Sequence, residues 1–98
     1  MNRILIVDDE KSMRELLSIM LTKEGYLVSS ADNGENALRA IQAEIFDLVI
    51  TDIRMPAING IELLKAVKEL SPETVVIVIT AYASTETAVD AMKLGAYD

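Results

Sequence analysis

Four residues in this chain have the types and positions to do chemistry together: Asp8, Asp9, Asp52 and Thr80. Asp8 and Asp9 follow the apolar run Ile4-Leu5-Ile6-Val7, Asp52 ends the run from Phe46, and Thr80 ends Val75-Val76-Ile77-Val78-Ile79. Three carboxylates gathered at one place repel one another and call for a cation between them. With oxygen donors only, the expected ion is Mg²⁺, which takes one or two carboxylates together with waters and phosphate oxygens. A Mg²⁺ beside a carboxylate also suits transfer of a phosphoryl group onto it, because the ion neutralises the equatorial oxygens. Aspartate is a covalent acceptor in such chemistry. Asp52 is therefore the expected acceptor, and the Thr80 hydroxyl a donor to the added group.

Each of these residues also has a plainer reading. Asp8 and Asp9 suit the positive N-terminus of a following helix. Asp52 alone is a loop acid, and Thr is at home at a strand end. Arg54 and Lys65 read as solvated surface charges. What favours chemistry is convergence, since three separate strand ends deliver the parts of one phosphoryl site.

Composition removes several other function classes. The chain contains neither Cys nor His, so thiolate and imidazole chemistry, zinc hydrolysis and disulfides have no residues to host them. The formal net charge of −7 opposes phosphate backbones, so no direct nucleic-acid binding is expected of this segment. No stretch approaches the ~18 apolar residues of a membrane span, and the first apolar run is too short and too quickly followed by acids for a signal peptide. A cytoplasmic setting is expected. The 98 residues suffice for one small domain, with an aliphatic core because aromatics make up only 4%.

The elements that must position the four residues follow from periodicity. Ile4–Val7 is a short, continuously apolar, β-branched run, the pattern of a strand buried on both faces. Ser12 and Glu15 have the spacing of a capping box at the start of a helix. Met13, Leu16, Leu17, Met20 and Leu21 then fall at helical spacing, and Gly25 is placed to end that helix in a left-handed conformation. A weaker, alternating strand over 26–31 reads as an edge strand. Asn33-Gly34 turns into a helix over about 35–43, with Ala37, Leu38 and Ile41 inward.

A third strand runs over 46–52, and a loop punctuated by Pro56 and Asn59-Gly60 follows it. A helix over 61–70 stops before Ser71-Pro72. A very apolar fourth strand spans 75–80, and a last helix runs over about 85–94. Strand–helix alternation of this kind means parallel strands with helices on both faces of the sheet. If strand one lies between strands two and three, its C-terminal end is a switch point, where ligands bind in open α/β sheets.

The chain resembles a response-regulator receiver domain of two-component signalling over its whole length. The motifs are Ile4-Leu5-Ile6-Val7-Asp8-Asp9-Glu10, Asp52-Ile53-Arg54-Met55-Pro56 with Asn59-Gly60, and Thr80-Ala81. The resemblance implies a flavodoxin-like (CheY-like) doubly wound parallel sheet of order 2-1-3-4. It implies phosphorylation of Asp52 by a sensor histidine kinase docking around the first helix, with Met13, Arg14 and Leu17 as contacts. Asp9 and Asp52 would ligate Mg²⁺ with the backbone carbonyl of Arg54, Asp8 would act mainly through a metal-bound water, and Thr80 would be the switch hydroxyl.

A narrower likeness, over 81–89 and 91–98, is to receivers of σ54-dependent transcriptional activators. It implies a downstream ATPase and DNA-binding output in the full-length protein. The resemblance also places a fifth strand, a fifth helix, an aromatic switch residue and a lysine beyond Asp98, with Tyr97 one position too early for the aromatic. The expectation is thus a receiver over 1–98, incomplete at its C-terminus, with strand four as an open edge that invites another copy or a partner chain. Without the lysine, such a chain is expected to bind Mg²⁺ yet phosphorylate and switch poorly.

Two rival readings remain. One is an aspartate-nucleophile phosphohydrolase of the haloacid dehalogenase type. That class carries an Asp-x-Asp pattern after strand one and needs a cap domain, whereas here the acids are adjacent and there is no room for a cap. The other is a receiver-like interaction module without phosphorylation, against which the intact Asp8, Asp9, Asp52 and Thr80 set argues.

Overall fold

In the computed structural model the described residues are 2–52, 60–79 and 96–97. They form β1 (Arg3–Val7), α1 (Lys11–Lys23), β2 (Leu27–Ala31), α2 (Gly34–Ala43), β3 (Leu48–Asp52), α3 (Gly60–Leu70), β4 (Val75–Ile79) and β5 (Ala96–Tyr97). The strands make one parallel sheet of order β2-β1-β3-β4-β5. β1 is central and buried over Ile4–Val7, whereas β2, at the edge, buries only Ala31 fully. That difference is why the first strand reads as an apolar run and the second does not.

The period of two along β1 divides the core between the two faces. Leu5 and Val7 pack with Val49, Val76 and the buried residues of α2 and α3, among them Ala37, Leu63, Leu64 and Val67. Ile4 and Ile6 face the other way, packing with Ile50 and with Leu17 and Leu21 of α1. At the end of the sheet away from the acids, Asp47 ties three strands together. Its N–H donates to the Arg3 carbonyl, its carboxylate accepts from the Arg3 N–H, and its carbonyl accepts from the Val75 N–H. Asp47 thus precedes β3, which begins at Leu48.

Three expectations need correction. The capping box does not form: α1 begins at Lys11 with Glu10 at the N-cap, making no side-chain cap bond. Glu15 instead lies 3.8 Å from Lys11 Nζ. The helical stripe of α1 is not wholly core either. Leu17 and Leu21 pack on the sheet, but Met13, Leu16 and Met20 are exposed, Leu16 by 55%.

The third correction is the sheet edge. A fifth strand is present: Ala96 and Tyr97 pair with Val76 and Ile77, so β4 is covered along its middle. Gly25 behaves as expected, with φ +93°. The Gly25 N–H donates to the Thr22 carbonyl and the Tyr26 N–H to the Leu21 carbonyl, the paired bonds of a Schellman end to α1. Thr80, Arg54, the 55–59 loop and the helix expected over 85–94 lie outside the described residues.

Candidate functional site

Register brings the acids together. Val7 of β1 pairs with Thr51 of β3, so the residues that follow, Asp8 and Asp52, leave the sheet side by side. They leave where β2 lies on one flank of β1 and β3 on the other, the switch point of the sheet. Asp8, Asp9 and Asp52 each present a carboxylate oxygen, and these oxygens all lie within 4.8 Å of one another. Asp8 and Asp52 are half-buried and Asp9 is exposed. β3 also carries Asp52 alongside Ile79, the last described residue of β4, which Thr80 follows in the sequence.

The loop carrying Asp8 and Asp9 is fixed at several points. The Asp8 N–H donates to the Ala31 carbonyl at 3.2 Å, tying the end of β1 to the end of β2. Asp8 Oδ1 accepts from the Glu10 N–H at 2.9 Å, an Asx turn that directs the chain into α1. This turn, rather than a Ser12 cap, is what starts the helix at Lys11. The Asp8 carbonyl accepts from Arg14 Nη1 at 2.7 Å. Sequence reasoning placed Arg14 among contacts for an external partner and missed this bond. The available signal was its position one turn into the helix, from which side chains lean back toward the N-terminus.

Electrostatics here favour a cation. Burial pushes the Asp8 carboxyl above its ordinary value; the Glu10 N–H opposes this, and the charges of Asp52, Asp9 and Glu10 add to it. Two unit charges at this separation repel by roughly 3 kcal/mol at an effective dielectric of about 20, and less where solvent reaches them, as at Asp9. An all-oxygen cluster of three carboxylates, in a chain without His or Cys, fits a hard divalent ion and not a soft one. Among the other residues singled out, Lys65 is exposed, as expected of a solvated charge.

The fold and the acid cluster define a class that the comparisons identify. The response regulator receiver domain family matches residues 4–98, and the chain belongs to that family. It is 46% identical over 95 residues to the transcriptional regulatory protein ZraR of Klebsiella oxytoca, an alignment covering 97% of this chain and 21% of that protein. The chain thus spans about a fifth of the length of the curated relatives it matches. The likeness to the receivers of σ54-dependent activators holds across such relatives.

Two solved structures place the fold. The beryllofluoride-activated NtrC4 receiver domain dimer superposes with a TM-score of 0.93 at 42% identity, covering 100% of this chain and 81% of that one. A response regulator protein from Burkholderia pseudomallei was solved with a phosphorylated aspartic acid, a calcium ion and citrate. It superposes with a TM-score of 0.92 at 33% identity, covering 98% of this chain and 56% of that one. Receivers are signalling modules. No helix among the described residues is long and apolar enough to cross a membrane.

Proposed function

We propose that this chain is the phosphoacceptor domain of a transcriptional response regulator, with Asp52 as the acceptor and Mg²⁺ held by the acid cluster. The observation that carries the reading is the meeting of Asp8, Asp9 and Asp52 at the switch point, with oxygens within 4.8 Å of one another. The Burkholderia relative, solved with a phosphorylated aspartic acid and a calcium ion, supports it. In the proposed step a carboxylate oxygen of Asp52 attacks phosphorus. The bond from phosphorus to the donor nitrogen of a sensor histidine kinase breaks, and an acyl phosphate forms. The carboxylates of Asp9 and Asp52 would hold the ion, with the Arg54 carbonyl as a further ligand and Asp8 reached through water. When bound, Mg²⁺ neutralises charge on the phosphoryl oxygens.

Thr80 then serves as the switch hydroxyl, donating to the phosphoryl group. The output is control of transcription by the rest of the full-length protein, through an ATPase and DNA-binding region, in the cytoplasm. The chain acts as a switch and not as an enzyme. The dimeric state of the NtrC4 receiver supports a second copy of this chain as one partner. The receiver domain spans residues 1–98. Reading the function as non-phosphorylated interaction would leave the repelling acid cluster without a purpose.

The test is a Mg²⁺ titration of the full-length protein followed by beryllofluoride, with amide resonances near position 52 as the readout. The reading predicts saturable Mg²⁺ binding and a beryllofluoride-dependent second set of shifts, both lost in Asp52→Asn. Binding indifferent to Asp52→Asn and Asp9→Asn would overturn it.

A further inference from the structure

Arg14 lies outside the acid cluster but touches it through the backbone. Its Nη1 donates to the Asp8 carbonyl at 2.7 Å, and its own N–H donates to the Glu10 carbonyl at 3.1 Å. The turn between strand and helix is thereby held by one residue at two carbonyls, with Asp9 between them. The remaining ties are the Asp8 N–H to Ala31 and Asp8 Oδ1 from Glu10. Two of these four bonds stay within the loop or join it to the neighbouring strand, and the Arg14 N–H bond is the backbone bond of the first helical turn. The Arg14 guanidinium is the one side-chain donor from the body of α1 that reaches the peptide joining Asp8 to Asp9.

We infer that Arg14 is a positioning residue for the cation site: its guanidinium fixes the Asp8–Asp9 peptide so that both carboxylates aim at the space shared with Asp52. The inference rests on the function proposed above. Removing groups that hydrogen-bond to and orient metal ligands typically weakens metal binding about 10–100-fold. A planar guanidinium can hold a carbonyl at a fixed angle, which a lysine ammonium on a flexible stem does less well.

The sign of the effect separates this from a simple charge effect. A positive charge beside a cation site opposes the cation, so if Arg14 acted only as a charge, removing it would tighten Mg²⁺ binding. If it positions the acids, removing it weakens binding in spite of the relieved repulsion. The same holds against a purely structural role, which would lower the melting temperature of the metal-free protein and leave the affinity of the folded fraction alone.

The experiment is calorimetric Mg²⁺ titration of the full-length protein as wild type, Arg14→Met and Arg14→Lys, with metal-free melting curves beside it. Arg14→Met keeps the apolar stem and removes charge and donors; its dissociation constant should rise about tenfold, within the range found when a ligand's support is removed. Arg14→Lys keeps the charge and should recover only part of that loss. Arg14→Met binding Mg²⁺ as tightly as wild type, or more tightly, overturns the inference. If Arg14→Met does not fold, Arg14→Lys decides alone, and a wild-type affinity there overturns it. Failure of the underlying function would look different: wild type itself would not bind Mg²⁺, or would bind it regardless of Asp9→Asn and Asp52→Asn.

Discussion

Asp8 and Asp52 sit at neighbouring strand ends because Val7 is in register with Thr51, and their carboxylate oxygens approach within 4.8 Å. A one-residue slip between β1 and β3 would turn one of the two to the opposite face. The site is therefore a product of register, which the core fixes: Leu5 and Val7 must meet Val49 on one side, while Ile4 and Ile6 meet Ile50 on the other. Burying those aliphatic residues holds in place two acids that would otherwise separate.

The first prediction concerns pH and charge at Asp8. Its carboxyl binds a proton more tightly in the folded state than in the unfolded chain, chiefly because burial disfavours the charge. Ionisation there opposes folding, so its penalty is absent below the unfolded value and grows as pH rises through the raised one. Asp8→Asn keeps an oxygen to accept from the Glu10 N–H and loses the charge. In metal-free buffer it should melt a few degrees above wild type at neutral pH, with the gap closing as pH falls through the acid range. Saturating Mg²⁺ should narrow or reverse the gap, since the ion stabilises wild type more. Melting curves with and without Mg²⁺ across pH check this.

How much of this was legible in the sequence depends on the signal each feature leaves. The buried strands announce themselves as apolar runs, and Asp8, Asp9 and Asp52 stand at their ends, so parallel strands with the acids along one edge follow, while the strand order comes from the family resemblance. The Ser12–Glu15 pattern misled because the Asp8 turn, a local side-chain bond, already sets the start of α1. Met13, Leu16 and Met20 share the period of Leu17 and Leu21 but are exposed among the described residues, because periodicity marks apolar positions and not what lies over them. The family resemblance places the fifth strand beyond Asp98, whereas Ala96 and Tyr97 already pair with β4. The bond from Arg14 to the Asp8 carbonyl depends on side-chain reach across a turn, which spacing alone does not reveal.

Gly25 ends α1 with φ +93°, and among the described residues beyond its chain neighbours no atom lies within 4 Å of where a Cβ would stand. The obstacle to another residue is thus the backbone conformation and not crowding. Gly25→Ala should cost about 1–2 kcal/mol, the usual penalty of a left-handed residue with a Cβ. Gly25→Asn should cost less, because Asn tolerates this region. Urea unfolding midpoints at constant slope measure both.

Thr74 is buried just before β4, and its hydroxyl donates to the Phe46 carbonyl at 2.6 Å. The bond joins the segments entering β3 and β4, and so supports the register that carries Asp52 alongside Ile79. Thr74→Val preserves shape and removes the donor, leaving a buried carbonyl short of its partner. It should cost about 1–3 kcal/mol. Thr74→Ser should lose less, since the hydroxyl remains. Chemical denaturation of the two variants separates the bond from the packing.

The central claim, that Asp52 is the acceptor, is tested most directly by locating the phosphoryl group. The full-length protein is incubated with Mg²⁺ and acetyl phosphate, reduced with borohydride, which converts an aspartyl phosphate to homoserine, and mapped by peptide mass spectrometry. The account predicts homoserine at position 52, dependent on Mg²⁺ and absent from Asp52→Asn. Modification confined to another acid, or none at position 52 while Mg²⁺ is bound, would contradict it.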